Sequence, residues 1–424
     1  MPRASIPVEH FSGGERGSLS AGRIDVQGYN QSLSTVDNFV PLVEGPILKR
    51  PGTRQVSDFV LGPDSLLRQL IPYTSFNATH YMLEFRPDYL DIYDGSGALI
   101  FSGGIISIPN IQDWQWALNG DLLVITNGAD EPYYFSFDGN TPTIALSEND
   151  CGPLNRENVL TTYSVQCDGL SGQYDARLII GGVPTPLALG TGSLLGFRTI
   201  PQSLYDNWTS GTAYVVDDYV WSQSYESSRV NVYKATTAGV AGTRTPGHDL
   251  GIESDGAVNW EMIHSEYGFA RVVVAATGGS DAVLETVCFP EIPADATGGG
   301  SLSGNGTFRF SFGAWADNNG PAAVTFHEGR AVFGGGNVVN NADDNPVFSF
   351  NNAVRFWGSK IDAFNDFYPG IDDNDAYDFS VSAESGARIV QLFSGKELFL
   401  NTTGGFFSAP VKPAPIPLNR CPAA

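Results

Sequence analysis

Residues 80–101 read HYMLEFRPDYLDIYDGSGALIF, and the fold class is decided by this stretch. Over 80–93 bulky and polar residues alternate, the two-residue period of a strand with one buried face. Asp94-Gly95-Ser96-Gly97 supplies turn residues and 98–101 resumes the apolar character, so the whole is predicted to form a hairpin. A second unit repeats the pattern: a strand at 121–126 (DLLVIT), the turn Asn127-Gly128, a strand at 133–137 (YYFSF) and the turn Asp138-Gly139. Further strands are expected at 331–333, 353–357, 379–381 and 398–401. Short antiparallel strands at this spacing suit a propeller or a sandwich, and the pattern alone does not choose between them.

The composition agrees. The chain has 49 Gly, 26 Pro, 12% aromatic and only 16% charged residues, which favours strands and tight turns over long surface helices. Its 424 residues are enough for one large or two to three ordinary domains. Lys and Arg total 23 against 46 Asp and Glu, a formal net charge of −23. Phosphate affinity needs clustered cations, so any nucleic acid that meets this protein is expected to slide past without specific binding. No apolar run is long enough to span a membrane, and MPRASIPVEHF lacks the apolar core of a signal peptide. Cys151, Cys167, Cys288 and Cys421 form no CxxC pair or Cys/His cluster and are expected to be buried, reduced thiols.

The N-terminal residues carry an ordered series: Phe11-Ser12-Gly13-Gly14, Gly22-Arg23-Ile24-Asp25, Tyr29, Asn38-Phe39, Gly45-Pro46 and Lys49-Arg50-Pro51-Gly52-Thr53-Arg54. In order and spacing the series resembles the opening of the tail nozzle family of short-tailed bacteriophages, also called tail tubular protein B. The resemblance continues through the DLLVITNGADEPYYFSF unit, Gly313-Ala314-Trp315, the block from Gly320 to Arg330, Phe356-Trp357-Gly358-Ser359, Phe364-Asn365-Asp366-Phe367, Asp373-Asn374-Asp375-Ala376 and Thr402-Thr403-Gly404-Gly405. It implies a β-propeller-like subunit that assembles as a hexameric ring at the distal end of the tail. Nozzle proteins continue with more strands beyond the last block. Here a short Pro-rich tail follows, so the propeller is incomplete, is completed by another chain, or is a shortened variant.

These readings give a mainly β chain with an extended N-terminal arm over 1–60, a propeller-like body over 61–206 and 265–408, an inserted small β module over 207–264, and a Pro-rich tail over 409–424. Residues 291–306 read as a linker-like loop. In the arm, Gly13-Gly14 and Gly45-Pro46 let the backbone turn sharply or approach another chain. Arg23, Asp25, Asn38, Lys49, Arg50 and Arg54 are the candidate assembly contacts, with an acidic neighbour in the ring as their target. The module resembles small carbohydrate-binding modules of the chitin-binding type. Trp208, Tyr214, Tyr233 and Trp260 are its candidate glycan contacts, because a sugar's C–H face packs against a π-system; equally, in so small a module they are its core. Trp221 and Tyr225 rank below them.

Catalytic patterns are thin. His10, His80, His248, His264 and His327 sit in no metal or nucleophile motif. Asp217-Asp218 and Asp343-Asp344 are acidic pairs of the kind expected by chance in an acidic chain. The stretch Asp372 to Asp375 lacks the Gly and terminal Glu of a calcium loop, and Gly334-Gly335-Gly336 lacks the Lys of a phosphate loop. No enzyme activity, cofactor or metal is expected. The expectation is a virion tail protein made in the host cytoplasm, whose partners are copies of itself, an upstream tail adaptor or tube protein, tail fibre or receptor-binding proteins, and the passing genome. The alternative is a receptor-binding or glycan-degrading tail protein acting on a host surface glycan through the 207–264 module.

Overall fold

The computed structural model describes residues 10–17, 23, 25–26, 29–42, 44, 46–50, 68–105, 107–146, 151–170, 173–225, 229–277, 280–289, 291–292, 306–315, 319–339, 350–368, 373–381 and 387–409. Arg54, the Asp343-Asp344 pair, Asp372, Cys421, nearly all of the 291–306 loop and the tail from 410 lie outside them. The chain divides into two compact units, Met1–Leu61 and Gly62–Ala424.

In the first unit Phe39–Pro41 pairs antiparallel with Ile47–Lys49, and one 3-10 turn covers Tyr29–Gln31. The Gly13 amide donates to the Gln31 carbonyl at 3.0 Å, and the Leu33 amide to the Gly14 carbonyl at 2.8 Å. A Cβ on Gly13 would lie 2.4 Å from Ser32 Oγ and 2.9 Å from the Gln31 oxygen, so this approach of two backbone segments requires glycine.

The second unit is mostly strand, as the alternation predicts. The first sheet runs Gln69–Thr74, His80–Arg86, Tyr89–Asp94 and Leu99–Gly104, and the second runs Gln115–Asn119, Leu122–Thr126, Tyr133–Phe137 and Pro142–Leu146; in both, strands pair in chain order. The run over 80–93 is itself a hairpin, turning at Pro87-Asp88, because proline offers no amide to continue a ladder. A third sheet joins Ala323–His327, Arg330–Gly334, Arg355–Gly358 and Tyr377–Ser380, and a fourth joins Ile389–Ser394, Leu398–Thr402 and Gly405–Ala409.

The sheets stack face to face through shared cores, a propeller-like arrangement. Ile71, Leu83 and Phe85 meet Leu123, Phe135 and Phe137. Val124, from the other side of the same strand, packs with Trp315, Phe333 and Trp357. Val332 and Phe356 meet Ile389, Leu392 and Leu400. Leu123/Val124 and Val332/Phe333 are neighbours pointing to opposite faces, so strict alternation buries both sides of the middle sheets.

Between the second and third sheets the chain builds something that periodicity does not reveal. Tyr163–Leu170, Gln173–Ile180, Ala282–Val287, Tyr267–Val274, Leu194–Arg198 and Phe310–Phe312 pair in that order, and Thr307 bridges back to Val165, so the sheet nearly closes into a barrel. Its interior holds Val165, Cys167, Leu195, Phe197, Val272 and Leu284, all fully buried. Asn158 fastens the closure by donating from Nδ2 to the carbonyls of Phe308 at 2.7 Å and Tyr163 at 3.1 Å.

The cysteine expectation needs correction. Cys151 and Cys288 form a disulfide across a sequence separation of 137 residues, and only Cys167 is a buried free thiol among the described residues. Spacing concealed the pair because the tertiary fold alone brings the loop entering the barrel beside the end of its strand Ala282–Val287.

Candidate assembly and sugar-contact surfaces

The basic arm residues occupy the hairpin of the first unit. Asn38 adopts a left-handed φ of 60°, and its carbonyl accepts the Arg50 amide at 2.9 Å, which closes the hairpin. Lys49 pairs with Phe39 in the ladder. The Lys49 and Arg50 side chains are exposed, with no ion-pair partner among the described residues. Beside them Phe39, Val40 and Leu48 are about half exposed, so the hairpin joins two free cations to an apolar surface. Arg23 and Asp25 behave differently. They pair with each other at 2.6 Å on the open surface, which raises the arginine pKa and lowers that of the carboxylate. Both are therefore spent locally, and an exposed pair of this kind contributes little to stability.

Residues 206–265 form a sheet of their own. Asp206–Asn207, Tyr219–Gln223, Val230–Ala235, Val258–Ser265 and Ile252–Asp255 pair in that order, with a parallel first pair, beside a small ladder of Ala213–Tyr214 and Gly239–Val240. Two of its four candidate sugar contacts are core residues. Tyr233 and Trp260 are fully buried, and Trp208 and Tyr214 pack against the same cluster as Val220 and Met262. Tyr214 meets Trp260 edge to face at 4.9 Å. Tyr233 and Trp260 therefore present no ring face to a sugar: so short a segment leaves few other side chains large enough to fill the core.

The surface aromatic is Tyr225, 53% exposed. Its hydroxyl donates to Glu253 at 2.9 Å and accepts from Arg244 Nη2 at 3.1 Å, and the Arg244 guanidinium lies 5.5 Å from the ring centroid. Partial desolvation and then the Glu253 carboxylate raise its phenol pKa. The ring lies so close to Gly247 that a Cβ there would fall 2.2 Å from it. The result is a fixed, accessible ring flanked by a carboxylate and a guanidinium, chemistry suited to stacking on a sugar and bonding its hydroxyls. Exposure was the missing signal: the sequence pattern offered no reason to rank Tyr225 above the buried aromatics.

The remaining acidic candidates serve the fold. Asp217 pairs with Lys234 at 3.0 Å, and Asp218 accepts the Val215 amide at 2.7 Å. Asp375 pairs with Arg229 at 2.9 Å, while Arg330 donates to the backbone carbonyls of Asp373, Asp375 and Ser359. No group of three or more His, Cys, Asp or Glu side chains is placed to hold a metal among the described residues. Compared with known proteins, the chain matches no family model and no curated sequence.

Proposed function

We propose that the chain is a structural subunit of the tail nozzle of a short-tailed bacteriophage, forming a hexameric ring that retains the genome and conducts it during ejection. The observation that carries this reading is the ordered N-terminal series from Gly13-Gly14 to Lys49-Arg50 at the head of an acidic, β-rich chain. The hairpin's exposed cations, Lys49 and Arg50, supply a handle on an acidic neighbour, and the net charge of −23 disfavours adhesion of DNA phosphates in a channel. Purified particles should contain the protein at a copy number per tail that is a multiple of the ring size, measured by quantitative mass spectrometry. Absence from particles refutes the reading. Arg50→Ala should lower assembly while leaving the monomer's melting unchanged, since the side chain is exposed in the monomer.

A second reading, host attachment through the 206–265 sheet, draws on the exposed Tyr225 with Glu253 and Arg244. Retention of the protein on host surface polysaccharide, lost in Tyr225→Ala, is its test; equal retention of the variant removes its support.

A further inference from the structure

The stack of four sheets has two ends, and each end sheet turns one face outward. In the first sheet Pro72 lies opposite Met82, Met82 opposite Tyr93, and Tyr93 opposite Leu99, so the four make one cross-strand row on the face away from Ile71, Leu83 and Phe85. Met82 is 40% and Leu99 53% exposed. In the fourth sheet Phe393 lies directly opposite Phe399, and Phe406 shares their face through its partner Asn401, two residues beyond Phe399. Phe393 and Phe399 are each 40% exposed and Phe406 is 71% exposed. Contiguous apolar faces of this kind mark interaction sites, and the middle sheets of the same stack bury both of theirs.

The charges around the two faces are complementary. Across 387–409 Arg388 and Lys396 stand against Glu397 alone, a local excess of cations in a chain whose net charge is −23. Across 68–104 Arg68 and Arg86 are taken up by Glu84 and Asp91, which leaves Asp88 and Asp94 without ion-pair partners among the described residues. Asp88 and Asp94 mark the two ends of the strand Tyr89–Asp94, and Arg388 and Lys396 flank Ile389–Ser394. On the first sheet the apolar row is bordered by Asp94 at one end and by the Arg68–Glu84 and Arg86–Asp91 pairs, then Asp88, towards the other; the charge not taken up in ion pairs is thus acidic there and basic in excess on the fourth sheet.

We propose that the outer face of the fourth sheet docks on the outer face of the first sheet in a second copy of this chain, continuing the stack from one subunit to the next. The proposal rests on the ring reading above and specifies its contact. The two faces differ, so the contact is head to tail, and a head-to-tail contact closes into a ring when its rotation permits.

The test uses the full chain in sedimentation velocity. Phe399→Glu and Met82→Glu change exposed residues on opposite faces, and each variant alone should associate at least tenfold more weakly than wild type. Mixed in equal amounts they should form a dimer that grows no further, because one variant keeps an intact fourth-sheet face and the other an intact first-sheet face. Lys396→Glu, in an exposed turn, should weaken association several-fold and be rescued by Asp88→Lys, which keeps the test open should a buried neighbour object to Phe399→Glu. A mixture that stays monomeric, or a Met82→Glu protein that still self-associates, overturns the proposed pairing. Rings that survive all the variants leave the ring reading standing and this contact refuted, whereas a wild type that is monomeric at every concentration refutes both.

Discussion

Removing the Arg229 guanidinium should cost far more than its position at the start of a strand suggests. Arg229 Nη2 lies 2.9 Å from Asp375 Oδ1, with side-chain exposures of 12% and 5%, and its guanidinium carbon sits 3.7 Å from the Tyr368 ring centroid. Tyr368 also bonds Ser265, at the end of the strand Val258–Ser265, so the two ends of this segment share one anchor on the body. Breaking a buried pair from one side costs about 3–5 kcal/mol, because the remaining charge stays desolvated. A buried cation–π contact of about 2 kcal/mol is lost with it and does not add in full. Arg229→Ala should therefore lower the unfolding free energy by about 3–5 kcal/mol in urea titrations followed by fluorescence. Arg229→Met combined with Asp375→Leu should recover most of that loss, since two apolar side chains replace the pair without stranding a charge. Deletion of residues 207–264 removes the same arginine, so the remainder should fold well only when Asp375→Asn accompanies the deletion. A loss below about 1 kcal/mol for Arg229→Ala, the size seen for exposed pairs, would refute the reasoning.

Other consequences are as direct. His264 is buried, its Nδ1 donates to the Ser265 carbonyl at 2.6 Å, and burial lowers its pKa to about 4. The unfolded chain, titrating near about 6.5, takes up this proton first as pH falls; stability is thus full above that value and declines by about 3 kcal/mol in total towards pH of about 4. Urea melts across this range should show the slope, and His264→Gln should flatten it. Asn158→Ala strands the carbonyls at the barrel closure and should cost about 3 kcal/mol in the same assay; a change within about 0.5 kcal/mol would mean the seam holds without it. A Cβ at Gly320 would lie 1.7 Å from the Asp130 carbonyl oxygen, so Gly320→Ala should abolish a cooperative melt, and a normal melt would show that the 319–323 segment can move aside.

The amino-acid sequence by itself determined the strands and their turns, because a half-buried strand must alternate and a tight turn must hold residues tolerant of positive φ. Hence Leu122–Thr126 and Tyr133–Phe137 were legible from DLLVIT and YYFSF. The basic hairpin around Lys49 and Arg50 was legible as a cluster of cations, though its apolar neighbours Phe39, Val40 and Leu48 gain meaning only from their exposure. Which aromatics fill the 206–265 sheet and which face solvent was a tertiary decision. Asn231, Val232 and Tyr233 are consecutive and all fully buried, with a shift of register between the last two, while Tyr225 stays outside. The barrel, the Cys151–Cys288 bond and the Arg229–Asp375 pair were equally invisible, the last two joining residues separated by 137 and 146 positions. Local chemistry specifies the strands, but contacts between distant strands depend on how all the faces are buried at once, and that is settled only when the chain has folded.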